Sequence, residues 1–113
     1  MLIETELRQL LAAKTGLQTL MEVPPGGAEL PYLVLEKTGG AEENYIRRST
    51  FALQAYGESL LQAAENCEAA RTAMFDAAEL PTVATVRFGG EYNFSDTAKR
   101  IYRYQAVFDV YHY

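Results

Sequence analysis

The chain has 113 residues, of which 49% are hydrophobic and 22% charged, and its formal net charge is −5. These values exclude a wholly disordered chain and predict one domain, residues 1–113, with a single hydrophobic core. The acidic balance argues against a surface whose main task is to grip nucleic acid, but it is compatible with a surface that DNA slides past.

A helix and a short strand are predicted at the start of the chain. Residues 2–14 predict the helix because apolar side chains recur at i, i+4, i+7 and i+8, and Gly16 is the expected C-cap. Residues 17–23 predict the strand, which ends at a Pro-Gly-rich loop over residues 24–31. The apolar positions of the helix are Ile3, Leu7, Leu10 and Leu11.

Two further strands are predicted before the second helix. Residues 32–36 form an apolar run that is typical of a buried strand. The pair Gly39-Gly40 is expected to stop this strand and to open a polar loop over residues 38–44. Residues 45–56 alternate between apolar and polar side chains and predict a third, long strand.

The second helix is predicted over residues 59–78, with two stripes on nearly opposite sides. One stripe is apolar and rich in alanine, so this helix can lie close to a sheet. The other is acidic, and residues 58–79 hold −4 of the net charge because they contain five acids and one base, Arg71. The apolar stripe consists of Leu60, Ala63, Ala64, Cys67, Ala70, Met74 and Ala78. The acidic stripe consists of Glu58, Glu65, Glu68, Asp76 and Glu79.

Two strands close the chain. Residues 82–88 predict the fourth, followed by a turn at Gly89-Gly90 and a loop over 91–99 that carries Tyr92 and Phe94. The last fourteen residues alternate with a period of two and predict the fifth and longest strand. We expect this strand inside the sheet, because an edge position would expose its apolar side chains. Those facing the core are Tyr102, Tyr104, Ala106, Phe108 and Val110.

The resulting order, α-β-β-β-α-β-β, predicts an α+β two-layer sandwich. Short connections favour a mainly antiparallel sheet, and two helices are too few to cover both of its faces. Both helices are therefore expected on one face. The other face then holds more apolar side chains than a solitary molecule should expose, and association through that face or through the sheet edges is the simplest relief. These side chains are Ile46, Tyr56, Ile101, Val107 and Tyr111.

Candidate catalytic and metal-binding residues are few. His112 is the only histidine, and its position one residue from the end of the given sequence shows no Ser, Cys or Asp triad pattern around it. Cys67 lies on the apolar stripe and is interpreted as a buried side chain; a single cysteine also excludes an internal disulfide and fits a reducing compartment. No spacing predicts a metal site or a phosphate-binding loop. We therefore predict no enzyme activity, cofactor or metal, and neither a signal peptide nor a membrane span.

Two features suggest contacts with partners. The acidic stripe is either a solvated helix face or a negative wall facing a channel. The three predicted loops, 24–31, 38–44 and 89–99, are longer than ordinary hairpin turns, and long loops without a catalytic constellation more often bind partners.

Four segments resemble the small tail-terminator or tail-completion proteins of long-tailed phages and prophages. They are residues 31–40 (PYLVLEKTGG), 51–59 (FALQAYGES), 92–96 (YNFSD) and 103–110 (RYQAVFDV). The resemblance spans nearly the whole chain, but its motifs are structural and bring no family active site.

The resemblance implies an α+β fold that assembles as a hexameric ring, caps the tail tube and docks to the head. The implied partners are other copies of the chain, the major tail-tube protein and the head–tail connector, with DNA only as transiting cargo. The implied location is the head–tail junction of a virion assembled in the bacterial cytoplasm. In such a ring the acidic stripe would line the lumen, so that DNA phosphates are repelled. Tyr92, Phe94 and the apolar open-face residues would contact neighbouring subunits or virion proteins.

Two other functions stay open at this point. A head–tail connector or stopper protein has similar size and layout. A ferredoxin-like dimer with a regulatory or ligand-binding role would instead need a concave apolar pocket with convergent polar groups.

Overall fold

Five strands form one sheet with two α-helices against one face, as described by a computed structural model for residues 2–113. The observed order, α-β-β-β-α-β-β, confirms the predicted α+β architecture. A short 3-10 helix, Ala77–Glu79, follows the second α-helix. The helices are α1 (Ile3–Thr15) and α2 (Leu60–Asp76), and the strands are β1 (Gln18–Leu20), β2 (Tyr32–Glu43), β3 (Ile46–Gly57), β4 (Val83–Asn93) and β5 (Tyr102–His112).

The strand order across the sheet is β1-β2-β3-β5-β4. Only β1 and β2 are parallel, and every other neighbouring pair is antiparallel. The C-terminal strand β5 lies between β3 and β4, which confirms that it is an interior strand. It is not the longest, since it has 11 residues while β2 and β3 have 12 each.

The core lies between the helices and the sheet. Ile3, Leu7 and Leu11 of α1 are buried there, and so are Phe51 and Phe108 from the two central strands. Burying each of these large side chains contributes about 1.5–3 kcal/mol to stability. The helix α2 contributes mainly small side chains to the core. Its buried residues are Ala63, Cys67, Ala70, Ala73 and the larger Met74.

The alanine-rich stripe brings α2 close to the sheet. A Cβ atom on Gly57 would lie 2.7 Å from the backbone nitrogen of Ala63, so only glycine fits at this point of β3. The helix begins at Ser59, whose hydroxyl accepts a hydrogen bond from the backbone N–H of Gln62 at 3.1 Å. Two predicted members of the stripe, Leu60 and Ala78, are exposed instead, because they lie at or beyond the ends of the helix.

Neither Gly-Gly pair ends its strand, so two loop predictions are wrong. The strand β2 continues through Gly39-Gly40 and joins β3 across a two-residue turn, Asn44-Tyr45, where both φ angles are positive, at 52° and 67°. That conformation is the usual one for a tight hairpin. A register shift between Lys37 and Gly39 shows that the β2 glycines lie beside a bulge.

The second pair, Gly89-Gly90, occupies a similar place in β4. The register between β4 and β5 shifts between Phe88 and Gly90, and Gly90 has a φ of 124°. The strand then continues to Asn93, so the connection to β5 is shorter than the predicted loop 89–99. Within residues 2–113, neither α-helix has the combination of length and hydropathy that would let it cross a bilayer.

Candidate functional site

The open face of the sheet, opposite the two helices, has two different ends. Cross-strand partners lie on the same side of a sheet, so the register brings Tyr32, Tyr56 and Arg103 together at one end, and Arg48 and Tyr111 at the other. Val107 and Ala52 lie between the ends. We call the first the tyrosine end; it comprises Tyr32, Val34, Gln54, Tyr56, Tyr92, Arg103 and Gln105. We call the second the hairpin end; it comprises Ile46, Arg48, Thr50, Thr85, Arg87, Asp109 and Tyr111.

The tyrosine end is covered by the chain itself. The rings of Tyr32 and Tyr56 stack with centroids 4.7 Å apart, and Leu20 and Ala28 pack against them. Only 7% of Tyr56 is exposed, so the expectation that it adds uncovered apolar surface is wrong. The cover comes from the end of β1, at Leu20, and from the segment between β1 and β2, at Ala28, and the irregular sequence of that segment does not indicate where it lies. Burial raises the pKa of the Tyr32 hydroxyl, and neighbouring Tyr56 raises it further.

A chain of side-chain hydrogen bonds crosses three strands at this end. Arg103 Nη1 donates to the Tyr56 hydroxyl at 3.1 Å, and that hydroxyl donates to Gln54 Oε1 at 3.1 Å. Gln54 Nε2 donates to Gln105 Oε1 at 2.8 Å, and Gln105 Nε2 donates to the Tyr92 hydroxyl. The five side chains in this series therefore have partners within the chain, which leaves little in them for another molecule to satisfy.

Tyr92, Phe94 and Ile101 lie at the rim of the tyrosine end and are exposed. The rings of Tyr92 and Phe94 meet edge to face with centroids 5.8 Å apart. The guanidinium of Arg103 lies 4.5 Å from the Phe94 ring centroid, and its Nε donates to the Phe94 carbonyl at 2.7 Å. Ile101 borders a depression of about 420 Å³ that also reaches Tyr56. These three predicted partner residues form one exposed rim.

The hairpin end remains open. Ile46 is 38% exposed, and Tyr111 is half-buried beside it with Arg87 lying 5.3 Å over its ring. A depression of about 390 Å³ separates these side chains from the tip of the β2–β3 hairpin, where Tyr45 is almost fully exposed. Among residues 2–113, the one side-chain hydrogen bond between open-face side chains at this end joins the Thr50 hydroxyl to Asp109 Oδ1 at 2.6 Å. Val107, at the boundary of the two ends, is half-buried.

The acidic stripe of α2 lies on the other side of the molecule. Glu58, Glu65 and Glu79 are exposed, and no ion pair to them is found among residues 2–113. The other two members have cations nearby. Asp76 lies 3.8 Å from Lys14 Nζ, and Glu68 lies 4.0 Å from Arg71 Nη1. The stripe therefore remains acidic over most of its length, but its charge is partly compensated at two positions.

Residues 5–113 match the family model described as Tail completion protein gp17. The chain belongs to this family. The resemblance predicted from the sequence is thereby confirmed, and the chain is a structural protein of phage tails. No curated protein matches the chain.

One pair of polar residues in this tail completion protein was missed by the sequence analysis. His112 Nε2 lies 2.8 Å from the Ser49 hydroxyl, although the residues are 63 positions apart. They are only 4% and 2% exposed, so a substrate cannot reach them. Burial lowers the pKa of His112, which keeps the imidazole neutral and suited to a structural hydrogen bond. The strand register, Ser49 beside Val110, could have suggested this contact only once the sheet order was known.

Cys67 is also unsuited to chemistry in this family member. Its side chain is fully buried, and its thiol lies 3.5 Å from Glu91 Oε2. Burial, reinforced by the Glu91 carboxylate, raises the pKa of Cys67 to about 12, so the thiolate is not available as a nucleophile. Among residues 2–113, no group of three His, Cys, Asp or Glu side chains is arranged to hold a metal ion.

Proposed function

We propose that this tail completion protein is a tail terminator, which caps the tail tube as a hexameric ring and joins it to the head connector. It would act in the virion at the head–tail junction, after assembly in the bacterial cytoplasm. Its partners would be other copies of itself, the major tail-tube protein and the connector, with DNA passing through as cargo. The function needs no catalytic group.

The observation that supports this proposal best is the contrast within the open face. The tyrosine end is covered and hydrogen-bonded, whereas at the hairpin end Ile46 is 38% exposed and Tyr111 is half-buried, with only Arg87 lying over its ring among residues 2–113. An apolar surface of this kind in a family of structural proteins suits a protein interface. We assign Ile46, Val107 and Tyr111 to contacts between subunits or with another virion protein.

The exposed rim of Tyr92, Phe94 and Ile101 is proposed as a second contact surface, toward the tail tube or the connector. Aromatic side chains with a nearby arginine are enriched at protein interfaces, and here Arg103 is held against Phe94. Tyr56 is left out of both surfaces because it is already covered.

The acidic stripe of α2 is proposed to face the lumen of the ring. Negative side chains along a channel repel DNA phosphates and prevent the genome from sticking. Glu58, Glu65 and Glu79 would supply most of this effect because they have no cation beside them, whereas Glu68 and Asp76 would supply less. Virions with Glu65→Lys should eject DNA more slowly than wild type, and virions with Glu36→Lys, on the opposite side of the sheet, should not. Equal ejection rates in both would overturn the lumen assignment.

Light scattering of the purified chain, alone and with tail-tube protein, tests the proposed ring. We expect a species with the mass of six copies on the tube, and Val107→Asp should abolish it without unfolding the chain. Leu2→Asp is the matched control, since it puts the same charge on an exposed apolar residue of the helix layer. Phe108→Asp should unfold the chain, because Phe108 is fully buried.

Two other results would overturn the proposal that the chain is a tail terminator. Binding to a connector but not to tube protein would indicate a connector or stopper. A monodisperse dimer that ignores tube protein would favour a regulatory module, although the observed element order differs from the β-α-β-β-α-β order of ferredoxin-like folds.

A further inference from the structure

Both edges of the sheet are unpaired over part of their length. The strand β4 is the last in the sheet, and no strand among residues 2–113 lies beyond it. At the opposite edge, β1 pairs with β2 only at Tyr32, Leu33 and Val34. The rest of β2, from Leu35 to Glu43, has a neighbour on one side only. Unpaired edges of this length are templates for pairing with another chain.

The two free edges lie at the same level of the sheet. Following cross-strand partners from β2 through β3 and β5 to β4 joins Glu42 to Val83, and Ala41 to Thr85. The same path joins Gly39 to Arg87. The part of β2 that β1 covers lies instead beside the last residues of β4. A second copy that is rotated about an axis along the strands therefore presents its free β2 edge directly to the free β4 edge.

The strand directions also match. Because β2 is antiparallel to β3, β3 to β5, and β5 to β4, the strands β2 and β4 run in opposite directions. Two copies placed side by side would thus form an antiparallel ladder, and the sheet would continue from one copy into the next.

The side chains along the two edges are compatible with such a ladder. On β2 they are small, at Gly39, Gly40 and Ala41. No two like charges meet at one level, since Arg87 falls beside Gly39 and Glu42 beside Val83. Both edges have a register shift at nearly the same level, between Lys37 and Gly39 on β2 and between Phe88 and Gly90 on β4, and β4 has a second one between Val83 and Thr85.

We propose that neighbouring copies assemble by pairing the free β4 edge of one, at Thr85–Arg87, with the free β2 edge of the next, at Gly39–Ala41. The inference rests on the proposed ring and identifies the contact that closes it. Two different surfaces meet in this contact, so repeating it produces a ring when the rotation between copies closes, whereas pairing of β4 with β4 would stop at a dimer.

Cross-linking of the double variant Ala41→Cys/Thr85→Cys tests the pairing. Both residues are exposed, their side chains lie on the open face at one level, and the native Cys67 is fully buried. The variant is assembled with tail-tube protein, and its mass is measured before oxidation or treatment with a short bis-maleimide. We expect a ladder of covalent multimers that ends at the closed ring. Thr85→Cys and Ala41→Cys alone should give no cross-linked product.

The matched control is Ala41→Cys/Asn93→Cys. Asn93 is exposed on the same strand, but eight residues from Thr85 it lies about 25 Å from the predicted partner. This control should assemble and remain uncross-linked. A six-copy mass without a ladder in the test variant would overturn the edge pairing and leave the ring in place. Dimers from Thr85→Cys alone would overturn it in favour of β4 pairing with itself. Absence of any six-copy species would overturn both proposals.

Discussion

The two ends of the open face have the same strand geometry but differ in what covers them. At the tyrosine end, the segment between β1 and β2 packs on Tyr32 and Tyr56, and Arg103 begins a chain of hydrogen bonds that ends at Tyr92. At the hairpin end, Ile46 is exposed, and Tyr111 is half-buried with only the side chain of Arg87 over its ring in the described part of the chain. Alternation in a strand therefore predicts which side chains face away from the helices, but it does not predict whether another part of the chain will cover them.

Phe108→Ala should have the largest effect and should damage both ends alike. Phe108 is fully buried on the helix side of β5, which runs beneath the whole open face, and its ring contacts Phe75 and Phe88. The cavity should lower the free energy of unfolding by about 3–5 kcal/mol, measured by chemical denaturation. A loss below about 1 kcal/mol would mean that this core is not packed as described.

Tyr56→Phe should lower stability through the tyrosine end and leave the hairpin end unaffected. It removes a hydroxyl that accepts from Arg103 and donates to Gln54, and should cost about 1–2 kcal/mol of unfolding free energy while leaving assembly on the tail tube unchanged. The control Tyr111→Phe should change stability by less than about 0.5 kcal/mol. Equal losses in the two variants would contradict the claim that the Tyr56 hydroxyl is bonded within the chain and the Tyr111 hydroxyl is not.

Lowering the pH should reduce the local stability of the hairpin end before that of the tyrosine end. His112 lies on the helix side beneath the hairpin end, and its pKa in the folded chain is below the ordinary 6.5 because it is buried. The unfolded chain therefore binds the proton more readily, so the histidine lowers stability as the pH falls through 6.5 toward the folded pKa. Protection factors from hydrogen exchange, corrected for the slower intrinsic exchange at low pH, should fall between pH 7 and pH 5, first near His112 and Ser49.

The charges around His112 do not reverse this direction. Arg47 and Lys37 lower its pKa further, while Glu4 and a backbone contact with Tyr113 raise it by less than burial lowers it. In a His112→Asn variant, the extra loss of stability between pH 7 and pH 5 should disappear. The same pH dependence in that variant would assign the effect to another group.

Leu2→Ser should have the smallest effect and should touch neither end. Leu2 is the N-cap of α1 but makes no side-chain capping hydrogen bond. Serine can accept a bond from the first turn, which should raise the unfolding free energy by about 0.5–1 kcal/mol in thermal or chemical denaturation. A decrease would indicate that Leu2 contributes through packing.

The sequence predicted most of the fold because the periodic signals were strong. The apolar face of α1, the Gly16 C-cap and the inward side chains of β5 are all as expected. The two Gly-Gly pairs were predicted as turns and lie beside bulges, because glycine is common in both structures. What keeps Gly39-Gly40 and Gly89-Gly90 inside strands is pairing with distant residues, which local sequence does not reveal.

For the candidate site, the sequence predicted which side chains lie on the open face but not which of them are covered. Period-two alternation correctly put Ile46, Val107 and Tyr111 on the open face. It could not show that Tyr56 would be covered, because the covering segment has no periodic pattern of its own. The contact between Ser49 and His112 was hidden for a similar reason, since it depends on β5 inserting next to β3.

Hydroxyl-radical footprinting of the free chain and of the chain assembled on tail-tube protein tests whether the hairpin end is an assembly surface. Ile46 and Tyr111 should become strongly protected on assembly, while Tyr56 stays unreactive in both states and exposed Leu2 stays reactive in both. If Ile46 and Tyr111 react as fast in the assembled particle as in the free chain, the hairpin end is not an assembly surface and the account is wrong.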